Sequence, residues 1–148
     1  MVRLAVALAL TAALAAAADG SPSAANPPIR SFTLTGGKVT CVMTGGQPAT
    51  AGALCLGTLN KGVKPFPRPN CHGTGDPGGG LSIGTTGRSR GLCLSENPIV
   101  PPVKLLAYGK SISLGGVTCK AVSATVGVRC TNRTRHGFQM SRYGWKQL

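Results

Sequence analysis

Few side chains in this sequence can do acid–base work. There are two histidines, His72 and His136, and three carboxylates, Asp19, Asp76 and Glu96. A carboxylate pair cleaves a glycosidic bond only when both groups flank it, about 5–10 Å apart. Asp76 and Glu96 flank one loop-rich middle stretch, and nothing else in the sequence brings them together. His72 and His136 suit a different scheme, that of a small basic nuclease. One histidine would take a proton and the other give one, while Arg133, Arg135 or Lys64 steadies the charged phosphorane. The plainer reading makes both histidines ordinary polar loop residues. A non-enzymatic chain is the leading expectation, with the nuclease as its alternative.

Other chemical motifs fail on their context. Gly73-Thr74-Gly75-Asp76-Pro77-Gly78 has the letters of a dinucleotide fingerprint. That fingerprint needs a strand before it and a helix starting on it. Pro67 and Pro69 stand upstream and Gly79-Gly80 downstream, so neither element is expected. Gly109-Lys110-Ser111 ends like a phosphate-binding loop, but Lys104 stands where the first glycine belongs. No C-x-x-C pair exists and the histidines are not at ligand spacing, so no metal and no cofactor are expected. Asn132-Arg133-Thr134 is a formal N-glycosylation acceptor.

Charge is the stronger signal. Sixteen Lys and Arg stand against three Asp and Glu, a formal charge of +13. Such a chain is drawn to anionic surfaces, an anionic polymer or an acidic protein face, and high charge also keeps a glycine-rich protein soluble. The densest stretch is C-terminal. Arg129, Arg133, Arg135, Arg142 and Lys146 occur there without an acid and are the candidate binding residues. Phe138, Tyr143 and Trp145 are interleaved. Arginine with aromatics can grip single-stranded nucleic acid or glycans, but large aromatics in a closing strand more often pack the core, and that reading is preferred.

These residues need a scaffold and a place. Met1-Val2-Arg3, an apolar run from Leu4 to Leu14, and Ala15-Ala16-Ala17-Ala18 make a secretory signal over 1–18, cut after Ala18. The run is too short to span a membrane, which takes about 20 apolar residues, and no later segment is long enough. The chain is therefore expected to be secreted or periplasmic. Residues 19–30 are small, polar and proline-rich, and read as a flexible leader. Residues 31–148 then form one domain.

Six cysteines, Cys41, Cys55, Cys71, Cys93, Cys119 and Cys130, read as three disulfides in a small exported chain. Fifteen pairings are open in principle. An internal echo favours one. Gly36-Gly37-Lys38-Val39-Thr40-Cys41 is repeated as Gly115-Gly116-Val117-Thr118-Cys119, and a second cysteine follows each. Two β-hairpins with a cysteine on each arm are expected, bridged Cys41–Cys55 and Cys119–Cys130, with turns near Gly45–Pro48 and Ser123–Thr125. Cys71–Cys93 is left to close the middle. Each bridge contributes about 2–4 kcal/mol.

Gly, Pro, Ser and Thr suppress long helices, and short β-branched runs alternate with glycine turns. Expected strands are Ser31–Thr35, Lys38–Thr44, Ala53–Gly57, Leu81–Gly84, Arg90–Leu94, Leu105–Tyr108, Ser111–Leu114, Val117–Val122, Val126–Thr131 and Phe138–Ser141. Lys61–Gly80 and Asn97–Lys104 are expected to be irregular. The fold class is all-β: a small disulfide-stapled sandwich or barrel of antiparallel hairpins, with little or no helix after the signal peptide.

The motifs Leu106-Ala107-Tyr108-Gly109, Gly115–Cys119, Gly127–Asn132 and His136-Gly137-Phe138-Gln139-Met140-Ser141-Arg142 resemble those of an uncharacterised family of secreted bacterial domains, widespread in actinobacteria. Ser31-Phe32 with Val39–Val42 resembles that family's opening strand. Gly79-Gly80-Leu81 with Gly91-Leu92-Cys93 resembles its middle. The resemblance implies the same exported, cysteine-paired module and brings no activity with it. This chain is more basic than the pattern and lacks its tryptophan and acidic positions near Lys61–Gly80.

Overall fold

The structure is a computed structural model. It describes residues 27–47, 51–67, 76–94, 98–99 and 101–148, with 76–78 and 93–94 described in their backbone only. Eleven strands and no helix occur among them. They are β1 (Ile29–Leu34), β2 (Val39–Thr44), β3 (Gly52–Gly57), β4 (Asp76–Gly84), β5 (Arg90–Leu94), β6 (Val103–Leu106), β7 (Ser111–Leu114), β8 (Val117–Ser123), β9 (Gly127–Asn132), β10 (Gly137–Ser141) and β11 (Gly144–Gln147).

Alternation explains why they stack as two sheets. Along β2, Val39, Cys41 and Met43 are core residues while Thr40 and Val42 point the other way; along β8, Val117, Cys119 and Ala121 are core residues while Thr118 and Lys120 do not. Six strands form the first sheet, in the order β5-β4-β3-β2-β1-β6, and five the second, β11-β10-β9-β8-β7. Phe32, Met43, Leu81, Val117, Val128, Phe138 and Met140 fill the space between and are almost wholly buried. Burying each such side chain contributes about 1.5–3 kcal/mol.

Disulfides sit at the middle of this core. Cys41 lies directly opposite Cys55, and Cys119 opposite Cys130. Both pairs are bonded, with S–S distances of 2.03 and 2.08 Å. The two bridges face each other across the sandwich, and Cys55 Sγ is 4.0 Å from Cys130 Sγ. Cys71 lies outside the described residues, and the expected Cys71–Cys93 bridge with it.

The sandwich departs from simple hairpins in three places. First, β6 pairs with β1 in parallel, so not every neighbour is antiparallel. The cause is the link after β5, which carries the chain from one edge of the first sheet to the other. Ile99, on that link, lines a cleft of about 680 Å³ with Thr33, Thr40, Leu56 and Val103 on the sheet's outer side. Second, β4 begins at Asp76, inside the stretch expected to be irregular. Its register slips between Gly78 and Leu81. Gly80 there lies so close to β3 that a Cβ would fall 2.1 Å from the Cys55 carbonyl oxygen. The glycines read as loop-formers are in part what lets this strand pair. Third, the Gly144–Gln147 strand was not expected; Gly144, with φ 155°, and two large residues after it hid the period. At the N-terminal side the folded part starts before Ser31, since Pro28 accepts a bond from Gly45 N (2.7 Å).

Candidate functional site

The register of the second sheet draws one line across its outer face. Ser111 pairs with Lys120, Lys120 with Arg129, Arg129 with Gln139, and Gln139 with Lys146. Neighbouring strands are spaced about 4.8 Å apart, so the line carries cations at Lys120 and Arg129 about 5 Å apart and at Lys146 about 10 Å further on, measured along the backbone. All three are exposed. Ser113, Thr118 and Thr131 make the next line, with the Ser113 and Thr118 hydroxyls 2.8 Å apart.

Like charges directly opposite each other destabilise a sheet. Two unit charges at that spacing repel by about 1 kcal/mol in water. No described carboxylate side chain belongs to this sheet: Asp76 opens β4 in the other one, and Asp19 and Glu96 lie outside the described residues. The face is thus a row of cations among hydroxyls, built against its own folding energy.

The five residues expected to bind fall into three groups. Arg129 and Lys146 stand in the row. Arg133 and Arg135 lie in the β9–β10 turn, and Arg142 in the β10–β11 turn at the opposite end of the strands. Arg133 lies over the Gly115-Gly116 turn, where a Cβ on Gly116 would come 2.6 Å from its Nε. Arg135 has φ 63°, the one positive value at a non-glycine residue among those described. Lys120 was not among the expected residues. Its signal was present: an inward Cys119 bonded to Cys130 puts Lys120 opposite Arg129.

Aromatics take the packing role on this sheet. Phe138 is wholly buried. Trp145 packs against the core, 6.3 Å from the Phe66 ring, and its Nε1–H donates to the carbonyls of Lys64 (3.1 Å) and Pro65 (3.0 Å). Lys64 Nζ sits 5.5 Å over the same ring, so it serves the Trp145 contact. Only Tyr143 of the three is exposed, with the Arg142 guanidinium stacked 4.7 Å from its ring centre.

Asn132 is a structural keystone. Its amide nitrogen donates to Gly84 O (3.2 Å) and Gly87 O (2.8 Å) in the other sheet's β4–β5 turn. Its Oδ1 accepts from Thr134 N, Thr134 Oγ1 and His136 N at 3.0–3.1 Å. The residue is buried. A glycan on that nitrogen is incompatible with this fold, so the Asn132-Arg133-Thr134 triplet is no acceptor once folded. His136 is half-buried in the same turn, its carbonyl accepting from Asn132 N (2.9 Å). His72 and Glu96 lie outside the described residues, so the two-histidine and two-carboxylate schemes have one described member each. No metal-binding cluster of His, Cys, Asp or Glu occurs among the described residues. No protein-family model, curated protein or solved structure matches this chain.

Proposed function

We propose that this chain is an exported, non-enzymatic β module whose second sheet binds an anionic polymer of the envelope or extracellular space. One observation carries the reading: Lys120 and Arg129 sit directly opposite each other in a row that continues to Lys146, with no described carboxylate side chain on that sheet. A polyanion laid across the strands meets the three cations in turn, and the serine and threonine hydroxyls beside them can bond its oxygens. Phe138 is buried, Trp145 packs against Phe66, and the exposed Tyr143 lies at the Lys146 end with the Arg142 guanidinium over its ring, so the row offers mainly charge. That favours a polymer recognised by its phosphate, sulfate or carboxylate groups over one recognised by its bases. Export is supported by the N-terminal signal and by the two disulfides, which persist in oxidising compartments. No helix among the described residues is long and apolar enough to cross a membrane. Kinship with the secreted actinobacterial family belongs to the same proposal and rests on the His136–Arg142 motif and its companions.

Titration with long-chain inorganic polyphosphate at two salt concentrations tests it. If three or more ion pairs form, affinity falls about 30-fold or more between 50 and 200 mM salt, and each of Lys120→Gln and Arg129→Gln lowers the salt slope by about one. An affinity indifferent to salt, or to both substitutions, sinks the proposal.

A further inference from the structure

A cleft of about 250 Å³ opens between the sheets at the end away from Asn132. Its floor is apolar: Leu34 and Val39 are the last core side chains there, with the half-buried Tyr108 beside them. Its rim carries Lys38 from the first sheet and Arg142 from the second. Gly127, with φ 76°, lines it too, and a Cβ there would fall 2.0 Å from Met140 O.

Both sides of the cleft are tied from sheet to sheet. On one flank the stretch after β3 bonds to both cationic residues: Thr58 N donates to Lys38 O (3.3 Å) and Asn60 N to Arg142 O (2.8 Å). On the other, the Tyr108 hydroxyl donates to Thr35 O (3.0 Å), while Gly109 N donates to Ala121 O (2.7 Å). The backbone positions of the two cationic residues are thus set by the fold before anything binds, while their side chains are exposed and the Arg142 guanidinium rests on the Tyr143 ring. A preset site loses less on binding than one that must be ordered.

We propose that this cleft is a second binding site, separate from the cationic row, for a small amphipathic anion. A compact apolar or aromatic body would rest on Leu34, Val39 and Tyr108, and a carboxylate or phosphate would sit between Lys38 and Arg142. The volume lies just below the range of about 300–1,000 Å³ usual for ligand clefts, so the ligand is small. The lining matches the general pattern of an apolar pocket with a few placed polar groups. This reading stands whether or not the row binds a polymer.

Amide-resolved titration of the folded full-length protein, with benzoate as probe, is the test. Benzoate should shift the amides of Gly36, Tyr108 and Gly127 saturably. Benzamide, its neutral counterpart, should bind about tenfold more weakly, as should benzoate to Lys38→Gln or Arg142→Gln, each of which removes one charge-assisted hydrogen bond. Lys120→Gln should change nothing at these amides. Benzamide binding as tightly as benzoate, inorganic sulfate shifting the same amides as strongly, benzoate shifts confined to the outer face, or no saturable shift would each overturn it.

Discussion

The molecule contains one cysteine-bridged hairpin built twice, and the two copies differ most sharply at the outward slot beside the disulfide. In β2–β3, Cys41 faces Cys55, and the next outward pair is Val42 opposite Leu54. In β8–β9, Cys119 faces Cys130, and the same outward slot holds Lys120 opposite Arg129. Inside the sandwich each copy sets a buried disulfide among apolar residues, Val39, Met43 and Ala53 in one and Val117, Ala121 and Val128 in the other. Outside they are opposites. In the first sheet Val42 is only 3% exposed, beside Leu54, Ser82 and Arg90. The second sheet's slot is open to solvent. Folding dictates the inward residues of both copies and the outward pair of one. The outward pair of the other is free of that demand, and it is filled with two cations that repel.

Exchanging the outward pairs should break the symmetry of that comparison. Val42→Lys with Leu54→Arg puts a charge where 3% is exposed. Leaving such a charge unpaired costs several kcal/mol, about the whole stability of a small domain. The variant is expected to lack a cooperative melting transition. Lys120→Val with Arg129→Leu should instead raise the midpoint of chemical denaturation, by about 1 kcal/mol of relieved repulsion, while polyphosphate binding falls at least tenfold. Equal destabilisation by both exchanges would show that the two faces are alike after all.

The disulfides test the interior half of the comparison. Removing either pair, Cys41→Ala with Cys55→Ala or Cys119→Ala with Cys130→Ala, should cost about 2–5 kcal/mol, and the two costs should be close because the closed loops are of similar length. Sequence separations of 14 and 11 residues support that. The stacking of the bridges adds a sharper expectation. With Cys55 Sγ 4.0 Å from Cys130 Sγ, Cys41→Ala with Cys119→Ala should oxidise to a single Cys55–Cys130 bridge between the sheets. Peptide mapping that finds only free thiols in the folded variant would contradict the stacking.

A smaller effect is expected at Asn132, which ties the two sheets together near the β9–β10 turn. Asn132→Ala strands the carbonyls of Gly84 and Gly87 and the amides of Thr134 and His136. Unmet buried groups cost about 1–3 kcal/mol each, with partial relief from water. A loss of about 2–3 kcal/mol in thermal or urea unfolding is the expected result. A change under 0.5 kcal/mol, roughly the size of a neutral surface substitution, would remove Asn132 from this role.

How much of this was legible in the sequence follows from the range of each interaction. The all-β class, left open between sandwich and barrel, and the two hairpins with their Cys41–Cys55 and Cys119–Cys130 bridges were readable because glycine turns, period-two alternation and paired cysteines are local signals. The parallel β1–β6 pairing was not, since it depends on the chain returning from β5 at one edge of the first sheet to β1 at the other, a long-range matter. Nor was the first half of β4: Pro77 and three glycines look like loop, and only the closeness of Gly80 to Cys55 O makes glycine the fitting residue. At the candidate site, cationic density singled out the last three strands and their turns. It could not separate Arg129 and Lys146, aligned by register, from Arg133, Arg135 and Arg142, which sit in turns at opposite ends. Lys120 lay outside the dense stretch, and only strand pairing joins it to Arg129.

The smallest expected effect separates the row from the turn. Arg135 occupies the left-handed region, where a side chain costs about 1–2 kcal/mol. Glycine removes that cost but gives back about 0.5–1 kcal/mol in unfolded-chain entropy. Arg135→Gly should therefore stabilise the domain by a few tenths to about 1 kcal/mol. The turn asks for this conformation, with Arg135 N donating to Asn132 O (3.1 Å), and leaves the Arg135 side chain exposed. If the polymer reaches beyond the row to the β9–β10 turn, Arg135→Gly lowers the polyphosphate salt slope by about one. If it stays on the row, stability rises and the slope does not move. Either result says how far along β9 the binding face extends, and a loss of stability would show that Arg135 makes a contact the fold itself needs.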